Sequence, residues 1–235
     1  AYAAEIGDGA TVNAVNDVTV YAQNDAKLLS VSFSVAAAEK VSVGGTVQVL
    51  VQKTAAAARV GQYANVTSRV GSVRIVANSE EFLVTVLAAA SVSTKVSVAG
   101  VVNAVVTRSA TTASVGEGAT IRANNDIKVM ADSETFMVAV SVGLAGSAKG
   151  AAGAVVNVFG FDRDVVAQVA KGAGLFATNG DILVSANSKD YSVIVAVGGA
   201  ASGSVAVDGA AELKYDGEQD GWYMGERLEA PEDVL

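Results

Sequence analysis

One spacing, 54 to 55 residues, runs through the chain and restricts its fold more than anything else in the sequence. Ala22-Gln23-Asn24, Ala77-Asn78-Ser79, Ala131-Asp132-Ser133 and Ala186-Asn187-Ser188 follow one another at steps of 55, 54 and 55. A short alternating run precedes each: Val18-Thr19-Val20, Val73-Arg74-Ile75, Ile127-Lys128-Val129 and Ile182-Leu183-Val184. A hydrophobic-Gly pair opens the first three copies (Ile6-Gly7, Val60-Gly61, Val115-Gly116), and Val169-Ala170 stands there in the fourth. The later half keeps register too. Lys40, Lys95 and Lys149 are spaced by 55 and 54, as are Gln48, Asn103 and Asn157. The copies fall at about 3–53, 54–108, 109–161 and 162–212, and an acidic polar tail, a linker or a cap, follows at 213–235.

A repeat of this kind is a unit that cannot bury its apolar face alone, so neighbours stack and share a core. Within each copy the residues alternate with period two. Leu29, Val31, Phe33 and Val35 point one way and Ser30, Ser32 and Ser34 the other, and the Val parity resumes from Val41 to Val51. The third copy reads as four strands, at 113–122, 127–131, 136–144 and 151–159. Asn124-Asn125-Asp126 and Asn179-Gly180-Asp181 mark turns, and Glu39-Lys40 and Thr94-Lys95 mark a corner. The expected fold is all-β, a parallel β-solenoid (β-helix) of four such repeats. Coils of roughly 20 to 30 residues would give two coils per copy, stacked at about 4.8 Å. The Val/Ala face is expected to form the shared core, and inward Ala and Gly to give a thin cross-section. The slips between 54 and 55 belong in corners, with Gly180 as one inserted residue.

Composition narrows the chemistry. The chain has no Cys and no His, which removes disulfides, thiolate sites, the usual general base and the commonest transition-metal ligand. A net charge of −8 repels phosphate backbones and anionic lipid surfaces, so neither nucleic acid nor an anionic membrane is an expected partner. No basic-then-apolar leader opens residues 1–7, and no solid apolar run of about 20 residues reads as a membrane helix, so the chain is not expected to span a membrane.

The candidate constellations have plain structural readings. Asp17, Asp126 and Asp181 share a repeat position that Ser72 interrupts. A polysaccharide lyase or hydrolase would need such clustered carboxylates, but at a turn they satisfy backbone donors. Asp162-Arg163-Asp164 and the acidic tail offer oxygen ligands, without an EF-hand loop or a Gly-Gly-x-Gly-x-Asp nonapeptide. No cofactor is expected, with calcium the one metal left open. The row Lys40, Lys95, Lys149 suits either an anionic glycan or solvated corner charges that discourage lateral pairing. Gln48, Asn103 and Asn157 lie opposite the Val parity and suggest an amide ladder that pins register. Gly7-Asp8-Gly9 and Gly116-Glu117-Gly118 lack the Lys and the helix of a phosphate loop and read as turns.

Val115-Gly116-Glu117-Gly118-Ala119, the Asn-Asp-Ile step at 125–127 and Val155-Val156-Asn157-Val158 resemble the repeats of giant bacterial exoproteins of the leukotoxin-like and filamentous-haemagglutinin-like type. The resemblance covers roughly residues 3–212. It implies a β-helical fold and a secreted or cell-surface location, and it brings no catalytic residues. The expected function is a stiff structural stalk in an adhesin or exoprotein, not an enzyme. Its partners would be neighbouring domains of the same long chain, other copies of itself, or a host-cell surface or glycan. The alternatives are a self-assembling fibre, joined through solenoid ends or flat Ala/Gly/Val faces, and a transmembrane β-barrel.

Overall fold

The computed structural model describes residues 1–224, with side chains through residue 214. Among them there is no helix. The strands are β1 Tyr2–Ile6, β2 Thr11–Ala14, β3 Val18–Ala38, β4 Val41–Val60, β5 Asn65–Ser68, β6 Val73–Ser93, β7 Val96–Val115, β8 Thr120–Ala123, β9 Ile127–Ser147, β10 Gly150–Val169, β11 Gly174–Ala177, β12 Ile182–Ser202 and β13 Val205–Met224. They form three parallel sheets, in the orders β1-β4-β7-β10-β13, β2-β5-β8-β11 and β3-β6-β9-β12. This is the expected parallel β-solenoid. Ala22, Ala77, Ala131 and Ala186 lie in one column, each paired in register with the next.

Each repeat makes one coil, where two were expected. Val18 pairs with Val73, Val73 with Ile127 and Ile127 with Ile182, one whole repeat away each time. The reason lies in the strands. The segments 127–131 and 136–144, read as separate, belong to one 21-residue strand, β9. The polar step between them does not turn, because Ser133 and Thr135 point inward while Asp132 and Glu134 point out. The first expected strand is instead broken at Gly116–Ala119, so a coil has two long strands and one short one.

The two long strands run against each other as an extended arm, and the short strand closes a wedge at its base. The wedge holds the main apolar core, with Val73, Ile75, Ala77, Ile121, Ile127 and Val129 fully buried. The arm turns at 39–40, 94–95, 148–149 and 203–204. Lys40, Lys95 and Lys149 therefore stack at its tip, where Lys95 N donates to Lys40 O at 3.2 Å and Gly150 N to Lys95 O at 2.9 Å. The length slips all fall in the corner after the short strand, where Gly180 is an extra residue before β12, as Gly71 is before β6.

The arm is thin because its sheets nearly touch. A Cβ on Gly44 would lie 2.7 Å from the Ala90 carbonyl oxygen, and Gly153 and Gly198 meet the backbone of Gly199 and Gly209 in the same way.

The apolar parity is the largest departure from expectation. Leu29, Val31, Phe33 and Val35 point to solvent, with Val35 82% exposed, and Ser30, Ser32 and Ser34 point inward. Val41 to Val51 are exposed likewise. Val18, Val20, Ala22 and Asn24 set the inward parity of β3, and a strand without a bulge cannot change it. The apolar residues change parity at Leu28-Leu29, so the second set faces out.

Strand β13 runs past residue 212 to Met224, paired along its length with β10. Residues 225–235, including Pro231, lie outside the described residues.

Candidate functional site

The shared carboxylates sit where a turn would use them, and successive copies of their position, Asp17, Ser72, Asp126 and Asp181, lie one coil apart and not two. Ser72 N donates to Asp17 Oδ1 at 2.8 Å, and Asp181 N donates to Asp126 Oδ1 at 3.1 Å. Arg74 and Lys128 add ion pairs at 3.5 and 3.4 Å. The Asp181 backbone N–H, and after it Lys128, hold the Asp126 carboxyl below the ordinary carboxylate range. Asp17 and Asp126 are thus committed to the coil stacked on them.

Asp162, Arg163 and Asp164 are split by the strand's alternation. Asp162 points out and pairs with Arg108 at 3.6 Å. Arg163, 2% exposed, points into the arm and pairs with Asp190, and its guanidinium lies 5.1 Å from the Phe161 ring. Among the described residues no group of three or more carboxylates is placed to hold a metal. Arg163 belongs instead to a buried polar layer absent from the expectations. Glu81, Thr135 and Asp190 stack on one sheet opposite Thr54, Ser109 and Arg163 on the other. Thr54 Oγ1 donates to Glu81 and lies 3.1 Å from Ser109 Oγ, whose hydroxyl can donate to it. Adjacent charges such as Glu80-Glu81 were the signal in the sequence, since one of any two neighbours in a strand must point inward.

Gln48, Asn103 and Asn157 pair in register inside the arm. Their hydrogen bonds cross the arm and do not run along the column. Ser30 Oγ donates to Gln48 Oε1 at 3.0 Å, Asn103 Nδ2 to Thr85 Oγ1 at 3.1 Å, and Ser141 Oγ to Asn157 Oδ1 at 2.8 Å. They tie the two sheets together more than they pin register.

The outer surface of the arm is the most unusual part. On one sheet the outward positions are 29–37, 82–92, 136–146 and 191–201; on the other they are 41–51, 96–106, 150–160 and 205–213. Every one is Val, Leu, Phe, Tyr, Ala or Gly. The band starts abruptly at the same height on both sheets. The rows Asp25-Glu80-Glu134-Lys189 and Lys53-Arg108-Asp162 stand just below it, on opposite sheets. Lys27, Phe82, Phe136 and Tyr191 form the first row above the acidic one. The lysine tip closes the other end.

Each face of the band covers roughly 700 Å², taking 11 residues at ~3.3 Å and four coils at ~4.8 Å. Each alone reaches the upper end for the largest apolar patch of a soluble monomer. The closed antiparallel barrel does not describe these sheets, because neighbouring strands are parallel and none of the three sheets closes on itself. No family model, curated protein or solved structure matches the chain.

Proposed function

We propose that the chain is a structural repeat module, a stiff segment of a secreted or cell-surface bacterial exoprotein of the kind its repeats resemble, without catalysis of its own. The observation behind this reading is the in-register pairing of each long strand with its equivalent one repeat away. A coil that stacks on copies of itself can be multiplied without redesign, and bending the stack means breaking a continuous ladder of hydrogen bonds. One coil per repeat changes the shape this implies. Each repeat advances only ~4.8 Å along the axis, while its long strands reach roughly 70 Å across. The module is a blade more than a rod, and it offers two broad faces per unit of length.

A second reading, association into fibres, draws on a separate observation. Within the band the outward positions of both long strands are apolar over all four repeats, and flat faces of this kind invite association between chains. Negative-stain electron microscopy of the purified chain separates the two. Dispersed flat blades support the stalk segment, and multi-copy filaments support the fibre. Irregular particles with no long dimension near 70 Å would sink both.

A further inference from the structure

The geometry points to a lipid bilayer as the occupant of the arm's outer surface, which goes beyond the stalk reading. In this arrangement the arm crosses the hydrocarbon layer. The Phe82, Phe136 and Tyr191 row lies at one headgroup layer and the Lys40, Lys95 and Lys149 tip at the other.

The first argument is height. From Phe82 to Val92 there are 11 residues, and from Val96 to Val106 another 11. At ~3.3 Å per residue the band is about 33 Å tall. A bilayer's hydrocarbon core is ~30 Å thick, and strands that cross one carry 9–11 apolar-faced residues. The match holds on both faces, over four coils.

The second argument is the alternation of polarity. The outward side is wholly apolar, while the inward side mixes apolar residues such as Leu83, Leu87, Val101 and Val105 with Ser42, Ser91, Ser97, Thr85, Asn103 and Asn157. Ser97 Oγ donates to Ser91 Oγ, which donates to Ser42 Oγ, at 2.8 and 2.9 Å. The polar side chains of the band's height are thus kept to the inside, as they are in strands that lie in lipid.

The third argument is what bounds the band. Aromatic side chains gather at headgroup level in membrane proteins. Here Phe82, Phe136 and Tyr191 form one row on one sheet, with Phe33 inside the band, and charged rows lie directly beyond that height on both sheets. The lysine tip is complementary to lipid phosphate.

A second copy fits the surface less well. Protein interfaces make about one hydrogen bond per 100–200 Å² and have a polar rim. No outward position within the band offers a side-chain donor or acceptor, apart from Tyr191 at its margin. Both faces are also equally apolar, so a paired dimer would leave one of each copy's faces in water. The expectation that the chain does not span a membrane rested on the lack of an apolar helix, and indeed no described helix is long and apolar enough. Strands need no such run. In hydrocarbon the backbone groups at both edges of the stack must be paired, which further coils next to β3–β4 and β12–β13 would supply.

The test is flotation of the purified chain with phosphatidylcholine vesicles, with and without phosphatidylglycerol. Binding to both is expected, and more to the anionic ones if the tip meets phosphate. Val47→Lys with Val102→Lys places two charges on neighbouring mid-band positions that are open to water in the free chain. The pair should lower vesicle partition at least about tenfold while leaving the circular dichroism of the free chain unchanged. The chain has no Cys, so Val47→Cys accepts a single environment-sensitive dye, whose emission should shift to the blue and be quenched by lipids labelled deep in the acyl chains. Failure to float overturns the proposal. So does flotation that ignores the lysines and leaves the dye in water, which would mean adsorption through the tip. Discrete oligomers that bury the dye without lipid and do not float would assign the surface to another copy.

Discussion

Phe82 and Phe136 stack on the outer face of the arm, one coil apart, with ring centroids 5.4 Å apart and planes 5° from parallel. They mark the line where the charged base of the arm gives way to its apolar band. The pair is held by the parallel register of β6 and β9. Stacked rings contribute about 0.5–1.5 kcal/mol beyond their burial. A double-mutant cycle with Phe82→Ala and Phe136→Ala, followed by urea unfolding, should return a coupling in that range. No coupling would mean the rings merely lie side by side.

Tyr63 occupies a place that Gly9, Gly118 and Gly172 fill in the other coils. Its φ of 54° is matched by 65°, 64° and 73° at those glycines. A left-handed conformation costs an ordinary residue about 1–2 kcal/mol. Tyr63→Gly should therefore raise the unfolding free energy by roughly 1 kcal/mol. Gly118→Ala should lower it by more, because the new Cβ would lie 2.6 Å from the Tyr63 ring. Denaturant titration of both variants checks the pair.

The narrowness of the arm gives a sharp contrast between two glycines. At Gly44 a side chain would press on the Ala90 carbonyl, part of a backbone that cannot yield easily. Gly44→Val should cost about 1–3 kcal/mol through overpacking. Gly100 has nothing within 4 Å of its would-be Cβ, so Gly100→Ala should leave stability within about 0.5 kcal/mol. Equal effects at both positions would contradict the pinched arm.

Arg163 and Asp190 form a buried pair inside the arm. Removing one partner of such a pair typically costs about 3–5 kcal/mol, whereas replacing both by apolar residues is often neutral. Asp190→Ala should be strongly destabilising, and Arg163→Met with Asp190→Leu much less so. Thermal unfolding of the three proteins decides it.

Asp126 is held in its charged form by the Asp181 N–H and by Lys128. Its folded pKa lies below the unfolded value of about 3.9. Its contribution to stability is thus full above that value and is lost as the pH falls through the lower, folded pKa. Between pH 4 and 2 the parent should lose stability faster than Asp126→Asn does. Identical acid profiles would show that the contact has no energetic weight.

The β-solenoid was legible because its signals are periodic. The column of Ala22, Ala77, Ala131 and Ala186 needs only a count along the chain, and the glycine insertion at Gly180 shows as a one-residue slip. The number of coils per repeat was not legible. That depended on whether Asp132 to Thr135 turns or runs straight, and the polar residues there satisfy either outcome until Ser133 and Thr135 find the buried layer of the opposite sheet. The buried Arg163 was hidden for the same reason, since its partner Asp190 lies on a different strand, 27 residues on.

The sequence by itself determined the repeat, the strand content, the lysine corner and the common columns, because each follows from local alternation and a fixed period. Only the tertiary structure decided which parity faces out. An unbroken strand keeps one alternation from end to end, so the apolar core at the base of the coil dictates the orientation of every side chain in the arm, and it turns Val31, Val35, Val47 and Val49 outward while Val101, Val105 and Val155 face the interior.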